Sequence, residues 1–264
     1  MIKTWHQFES IRHSGRPLLG SLAQLNHPVL IAGCQRSGTT AVTRLLRSAQ
    51  GFNELKITAD DELDAALLLA GELSLPDDER LVLQTTYLNN HYLEYLDHQN
   101  FQLVWLVRRP DAVVHSMLSN WSRSALRRLF RACGSLQLNA RDKKRYQRFG
   151  HWPFSRLDMA CYSYVEKARQ AGELAAKLPN SQLAFVDYDE LVSNPKVAVQ
   201  RLCRFFAIEY SPTMADELRQ TSQAKADSGL SSGQKKRISE LCEKSWGENR
   251  CLAAGQHQPN EMGS

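Results

Sequence analysis

The chain has 264 residues, enough to bury a substantial core without disulfides or metals. Apolar residues make up 42% and charged residues 23%, a globular balance that excludes a largely disordered chain. The net charge is +5, but residues 121–148 alone hold nine cations (Arg123, Arg127, Arg128, Arg131, Arg141, Lys143, Lys144, Arg145, Arg148) against Asp142, a net +8 that leaves the rest at −3.

The first element is a strand over Pro28–Gly33, a continuous apolar run of the kind covered on both faces. A helix follows, with Ala41, Val42, Leu45, Leu46 and Ala49 at helical spacing. Ala65–Ala70 is the longest clean apolar run, far short of the ~20 residues a membrane span needs. Further strands are expected over Arg80–Thr85, Phe101–Val107 and Gln182–Asp187. Between the last two, Leu157, Cys161, Val165, Ala168, Ala175 and Leu178 mark a longer helix. Ser193-Asn194-Pro195 opens another, with proline at the first helical position and Ala198, Leu202, Phe205 and Phe206 as its apolar stripe. Gln234–Lys244 reads as a last amphipathic helix, and residues 251–264 as a flexible tail.

Strands alternating with helices predict an α/β fold: one three-layer domain over residues 1–250, with a mainly parallel sheet and helices on both faces. Met1 to Gln7 has no apolar stretch, so no secretory leader is expected. Six scattered cysteines without C-x-x-C spacing point to thiols in a reducing, cytoplasmic setting.

Two stretches carry chemistry. Strand Pro28–Gly33 runs into Cys34-Gln35-Arg36-Ser37-Gly38-Thr39-Thr40 and then a helix, the parts of a P-loop-like anion cradle. Gly38 permits close backbone approach, Thr39 and Thr40 add hydroxyls, and Arg36 adds a bidentate cation. Gly33 and Gly38 have the separation of a Walker loop, but Thr39 stands at its lysine position. Strand Phe101–Val107 ends in Arg108-Arg109-Pro110, with Ser116 inside the helix that follows. Parallel strands present their C-terminal ends on one side, so Arg108 and Arg36 are expected to share a crevice.

Arg36-Ser37-Gly38-Thr39-Thr40 after a strand resembles the first signature of the sulfotransferases that use 3′-phosphoadenosine 5′-phosphosulfate (PAPS), and Arg108 with Ser116 eight positions on resembles the second. Phe185–Pro195 is similar to the family's Y-E-D-L … P turn, with Asp189 replacing Glu. The resemblance covers about Pro28–Phe206 and implies PAPS as donor, held without a metal. It assigns the 5′-phosphosulfate to the Arg36–Thr40 loop, the 3′-phosphate to Arg108 and Ser116, and the nucleotide or the core to Tyr188. Cytosolic members carry Lys-Thr-His on the second strand, where this chain has Gln84-Thr85-Thr86. Glu54, by likeness to members with a glutamate soon after the first helix, is the leading base, with Asp60, Asp61, Glu62, His91 and His115 as alternatives. The acceptor is a hydroxyl or amine on a sugar, lipid, peptide or small metabolite, and nucleic acid is not expected. An ATP-dependent P-loop kinase and a non-catalytic nucleotide-binding protein are the rival readings.

Overall fold

In each strand the side chains alternate between two apolar layers, as a period of two demands. The computed structural model describes residues 2–74, 80–215, 218 and 229–255. The sheet has four parallel strands: β1 (Val29–Gly33), β2 (Val82–Gln84), β3 (Gln102–Val107) and β4 (Leu183–Asp187), in the order β2-β1-β3-β4. Leu30, Ala32, Leu83, Leu103, Trp105, Val107 and Phe185 face one layer. Val29, Ile31, Val82, Val104 and Leu106 face the other. Both faces are dry, which explains why the strands read as unbroken apolar runs.

Helix α1 (Trp5–Arg12), α3 (Asp61–Leu69) and part of α7 (Arg156–Ala175) cover the first face. Helix α2 (Thr39–Arg47), α8 (Tyr188–Ser193) and α9 (Pro195–Phe206) cover the second. A third apolar cluster lies among α4 (Pro110–Asn120), α5 (Arg123–Ala132), the N-terminal half of α7 and the last helix, α10 (Ser232–Gly255). Helix α6 (Ala140–Phe149) completes the order after α5.

Local chemistry fixes the ends of these helices. Ser155 and Asp158 form a capping box at the start of α7, each bonding the other's backbone. Asp60 caps α3 by accepting from the N–H groups of Glu62 and Leu63. Asn194 occupies the cap of α9 without a side-chain cap bond, so Pro195 at N1 is what pre-sets that helix.

The C-terminus departs from expectation. Helix α10 runs past Lys244 and carries Cys251 to Gly255, the first residues of the expected tail. Burial accounts for this: Ala253 is in the core, and Trp246 and Leu252 pack against it. Residues 256–264 lie outside the described residues.

The strand order decides where a ligand can enter. The chain leaves β1 toward β2 and leaves β3 toward β4, in opposite directions. A crevice opens beyond the carboxyl ends of two such neighbouring strands. Gly33 pairs with Leu106 there, so the residues after each strand emerge side by side.

Candidate active site

The crevice is a cleft of about 580 Å³, lined among others by Arg36, Gly38, Thr39, Thr40, Glu62, Gln84, Arg108, Ser116, Trp121, Tyr188 and Asp189. Its floor is the loop between β1 and α2. Gly38 has φ +104° and forms the N-terminal boundary of α2. A Cβ on Gly38 would lie 2.3 Å from the Tyr188 ring, so only glycine lets the loop pass beneath it. The first N–H groups of α2 have no carbonyl in their own helix and open toward the cleft with partial positive charge.

Arg36 is held at φ +74°, a left-handed conformation that costs a non-glycine residue about 1–2 kcal/mol. Its neighbours over-determine it. Arg36 Nε donates to Ser116 Oγ at 2.9 Å, and Arg108 Nη1 donates to the Arg36 carbonyl at 3.2 Å. The two sequence motifs are therefore bonded directly to one another. Arg108 also lies over the Tyr188 ring at 4.8 Å and faces Asp189 at 3.9 Å. From behind, Tyr164 of α7 donates its hydroxyl to the Arg108 carbonyl at 2.9 Å. Arg156 fixes the rim by donating to the carbonyls of Leu118 and Trp121 at 2.7 and 2.8 Å.

Several buried groups at this loop await a partner. Ser37 Oγ, Gln35 Oε1 and Arg108 Nε are buried without a hydrogen bond. Buried polar atoms are normally satisfied, so two donors orphaned beside a helix N-terminus fit an oxyanion ligand. Among the described residues no three His, Cys, Asp or Glu side chains are grouped as a metal site would need.

The opposite wall comes from β2 and α3. Gln84 Nε2 donates to Thr39 Oγ1 at 3.1 Å and also to Glu62. Burial pushes the Glu62 carboxyl up to about 8. Bonds from Thr86 and Gln84 pull it part of the way back, while the Asp60 and Asp61 charges oppose ionisation further. The Gln84-Thr85-Thr86 stretch, which lacks the resembling family's histidine, thus holds a carboxylate contributed by another element.

The other candidate bases lie elsewhere. Glu54 is 46% exposed, pairs with Arg47 at 3.0 Å and does not line the cleft. Asp61 also pairs with Arg47, at 2.6 Å. Asp60 accepts from Trp5 Nε1 at 2.7 Å as well as capping α3. His91 is bonded to Glu94 at 2.9 Å, and His115 lies 3.4 Å from Ser119 Oγ. Of the six carboxylate and histidine candidates, Glu62 alone lines the cleft. Nearness in sequence to Arg36 favoured Glu54; the useful signal was that Gln84 ends a parallel strand on the ligand side. Trp121 and Asp189 are cleft residues for which chain position gave the cue: each follows a helix or strand that ends there.

A sulfotransferase-domain profile matches residues 26–259. No curated protein matches the chain. Among solved structures, a sulfotransferase from Alicyclobacillus acidocaldarius is 11% identical with a TM-score of 0.50, over 89% of this chain and 99% of that one. The sulfotransferase STF9 from Mycobacterium avium is 11% identical with a TM-score of 0.51, over 85% of this chain and 77% of that one. At such identity these two speak for the fold, but the profile spans every strand and every wall of the cleft, and on that match the chain belongs to the sulfotransferase family.

Proposed function

We propose that the chain transfers a sulfuryl group from PAPS to a hydroxyl or amine, with Glu62 as the base. The observation that carries this reading is the arrangement of the cleft. A half-buried carboxyl held by Gln84 faces an anion cradle built from Arg36, Arg108 and the start of α2, and Thr39 is bonded into both.

When bound, the donor supplies an electrophilic sulfur on a phosphate leaving group. The α2 N–H groups, Ser37, Thr39, Thr40 and Arg36 would hold the phosphosulfate and offset the charge that grows on the departing phosphate oxygen. Arg108 and Ser116 would hold the 3′-phosphate, and the Tyr188 ring would support the nucleotide. Glu62 in its ionised form takes the proton of the acceptor as the acceptor's oxygen or nitrogen bonds to sulfur; the sulfur–oxygen bond to phosphate breaks, and its electron pair leaves with the phosphate. No cation from residues 121–148 enters this scheme.

Thr39 at the lysine position of a Walker loop, and Arg108-Arg109 rather than an aspartate after β3, weigh against Mg-ATP chemistry. We place the protein in reducing, cytoplasmic surroundings because five of its six thiols are packed into the core as small apolar groups.

Calorimetric titration tests the donor. Adenosine 3′,5′-bisphosphate should bind without metal and in preference to ATP. Preference for ATP with Mg²⁺ would sink the reading. Transfer of radiolabelled sulfate from PAPS to a panel of alcohols, sugars, lipids and amines then tests turnover, and bisphosphate binding with no transfer to any class would favour the non-catalytic alternative.

A further inference from the structure

The basic segment that the catalytic scheme leaves aside lies mostly in water. Of its nine cations, eight are exposed and Arg127 is half-buried. Among the described residues only Arg145 has an acidic partner, Asp142 at 3.4 Å. Asp142 is itself buried, accepting from the Tyr162 hydroxyl at 2.6 Å, and offsets only one of the nine cations.

This stretch and the turn just after it carry the most exposed large apolar side chains among the described residues. They are Trp152 at 83%, Leu136 at 68% and Phe149 at 57%. Arg148 lies 5.1 Å over the Phe149 ring. Ring contacts join α5, α6 and the turn after them. The Phe130 ring is 5.7 Å from Tyr146 and 5.2 Å from Phe154, and Tyr146 is 6.2 Å from Phe154. Burial, together with the guanidinium groups of Arg127, Arg131 and Arg123, holds His151 below its usual range. The cations of α5 therefore act on the turn that bears Trp152.

We propose that this α5–α6 face docks on an anionic lipid bilayer, its cations against the headgroups and Trp152, Phe149 and Leu136 within the headgroup layer. Cationic charge alone would suit any polyanion. Three large apolar side chains left in water beside it suit a surface that is charged outside and apolar just beneath. Tryptophan in particular favours that boundary. The segment begins at Trp121, which lines the cleft and caps α4, so docking sets the cleft mouth beside the bilayer. The inference goes beyond the proposed activity and stands without it.

Co-sedimentation with vesicles tests it, using the full chain. Phosphatidylcholine vesicles with about a third phosphatidylglycerol should bind the protein, pure phosphatidylcholine should not, and ~1 M salt should release it. The triple change Lys143→Gln, Lys144→Gln and Arg148→Gln should weaken binding about 100-fold, near fivefold per charge removed. Trp152→Ala should weaken it by about tenfold and reduce the blue shift of tryptophan emission on binding. Binding of adenosine 3′,5′-bisphosphate by each variant reports that the fold and donor site are intact, so loss of vesicle binding is read separately from loss of the donor site. Equal binding to both kinds of vesicle, binding to neither, or retention by duplex DNA or polyglutamate without anionic vesicles would overturn the proposal.

Discussion

The cleft and the α5–α6 face both handle positive charge, and they do so in opposite ways. In the cleft two arginines are each fixed by several neighbours: Arg36 by Ser116 and Arg108, and Arg108 by the Tyr188 ring, Asp189 and the carbonyl of Arg36. On the α5–α6 face, by contrast, most of the cations extend into water. A charge held at one point in a partly dry cleft interacts strongly and selectively, whereas solvated charges act together and are screened by salt. Number and fixation are therefore inverted: the segment of net +8 holds mostly solvated cations, and the two fixed arginines lie in the part of net −3.

The largest expected effect bears on the chemical side of that contrast. Glu62→Gln should lower sulfate transfer by about 10²–10⁴-fold while leaving bisphosphate binding nearly intact. Glu54→Gln should change transfer less than about twofold, because Glu54 pairs with Arg47 and does not line the cleft. If the two variants behaved in reverse, the base would belong outside the cleft.

Next comes the anion cradle. Arg108→Ala should weaken adenosine 3′,5′-bisphosphate by about 10–100-fold, and adenosine 5′-phosphosulfate, which lacks the 3′-phosphate, much less. Equal losses in calorimetry would mean that Arg108 supports the loop through the Arg36 carbonyl rather than binding the second phosphate. Gly38→Ala should cost about 1–3 kcal/mol in denaturant unfolding and impair donor binding, since the methyl group meets both a positive φ and the Tyr188 ring.

A pH experiment sharpens the role of Glu62. A carboxyl pushed up to about 8 is mostly protonated at neutral pH, so kcat/KM should rise as pH approaches about 8, and this limb should vanish in Glu62→Gln. Stability should move the other way. Because the folded state binds this proton more tightly than the unfolded chain, stability is fully present below the ordinary carboxyl value and is lost as pH rises through about 8. Glu62→Gln should consequently gain stability over wild type as pH rises from about 5 to about 8, measured as a difference in unfolding midpoint.

The smallest effect tests the separation of the two regions. Lys143→Gln with Lys144→Gln should alter donor affinity less than about twofold at physiological salt, because these exposed charges are screened from the cleft. A tenfold loss would make the basic face part of the donor site.

Much of this was legible in the chain. Four apolar runs bounded by turns marked all four strands, because a sheet covered on both faces has no polar side to display. The Arg36–Thr40 loop and the Arg108–Ser116 pair stood out because an anion cradle needs particular residue types at fixed short spacing. The end of α10 was not legible, since Trp246, Leu252 and Ala253 bury too sparse a stripe to show periodicity. The choice of Glu62 over Glu54 was equally hidden. It rests on Gln84 reaching both Thr39, 45 positions away, and Glu62, 22 positions away.

The sequence by itself determined the α/β order, the strand–loop–helix unit around Arg36–Thr40 and the clustering of positive charge in one segment, since each is a property of neighbours along the chain. Only the tertiary structure decided that Arg36 is bonded to Ser116, that Glu62 enters the cleft, and that Trp152, Phe149 and Leu136 are left in water beside the cations. The reason is physical: hydrogen bonding and burial depend on distance in space, and the crossover of the sheet brings together groups that the chain keeps dozens of residues apart.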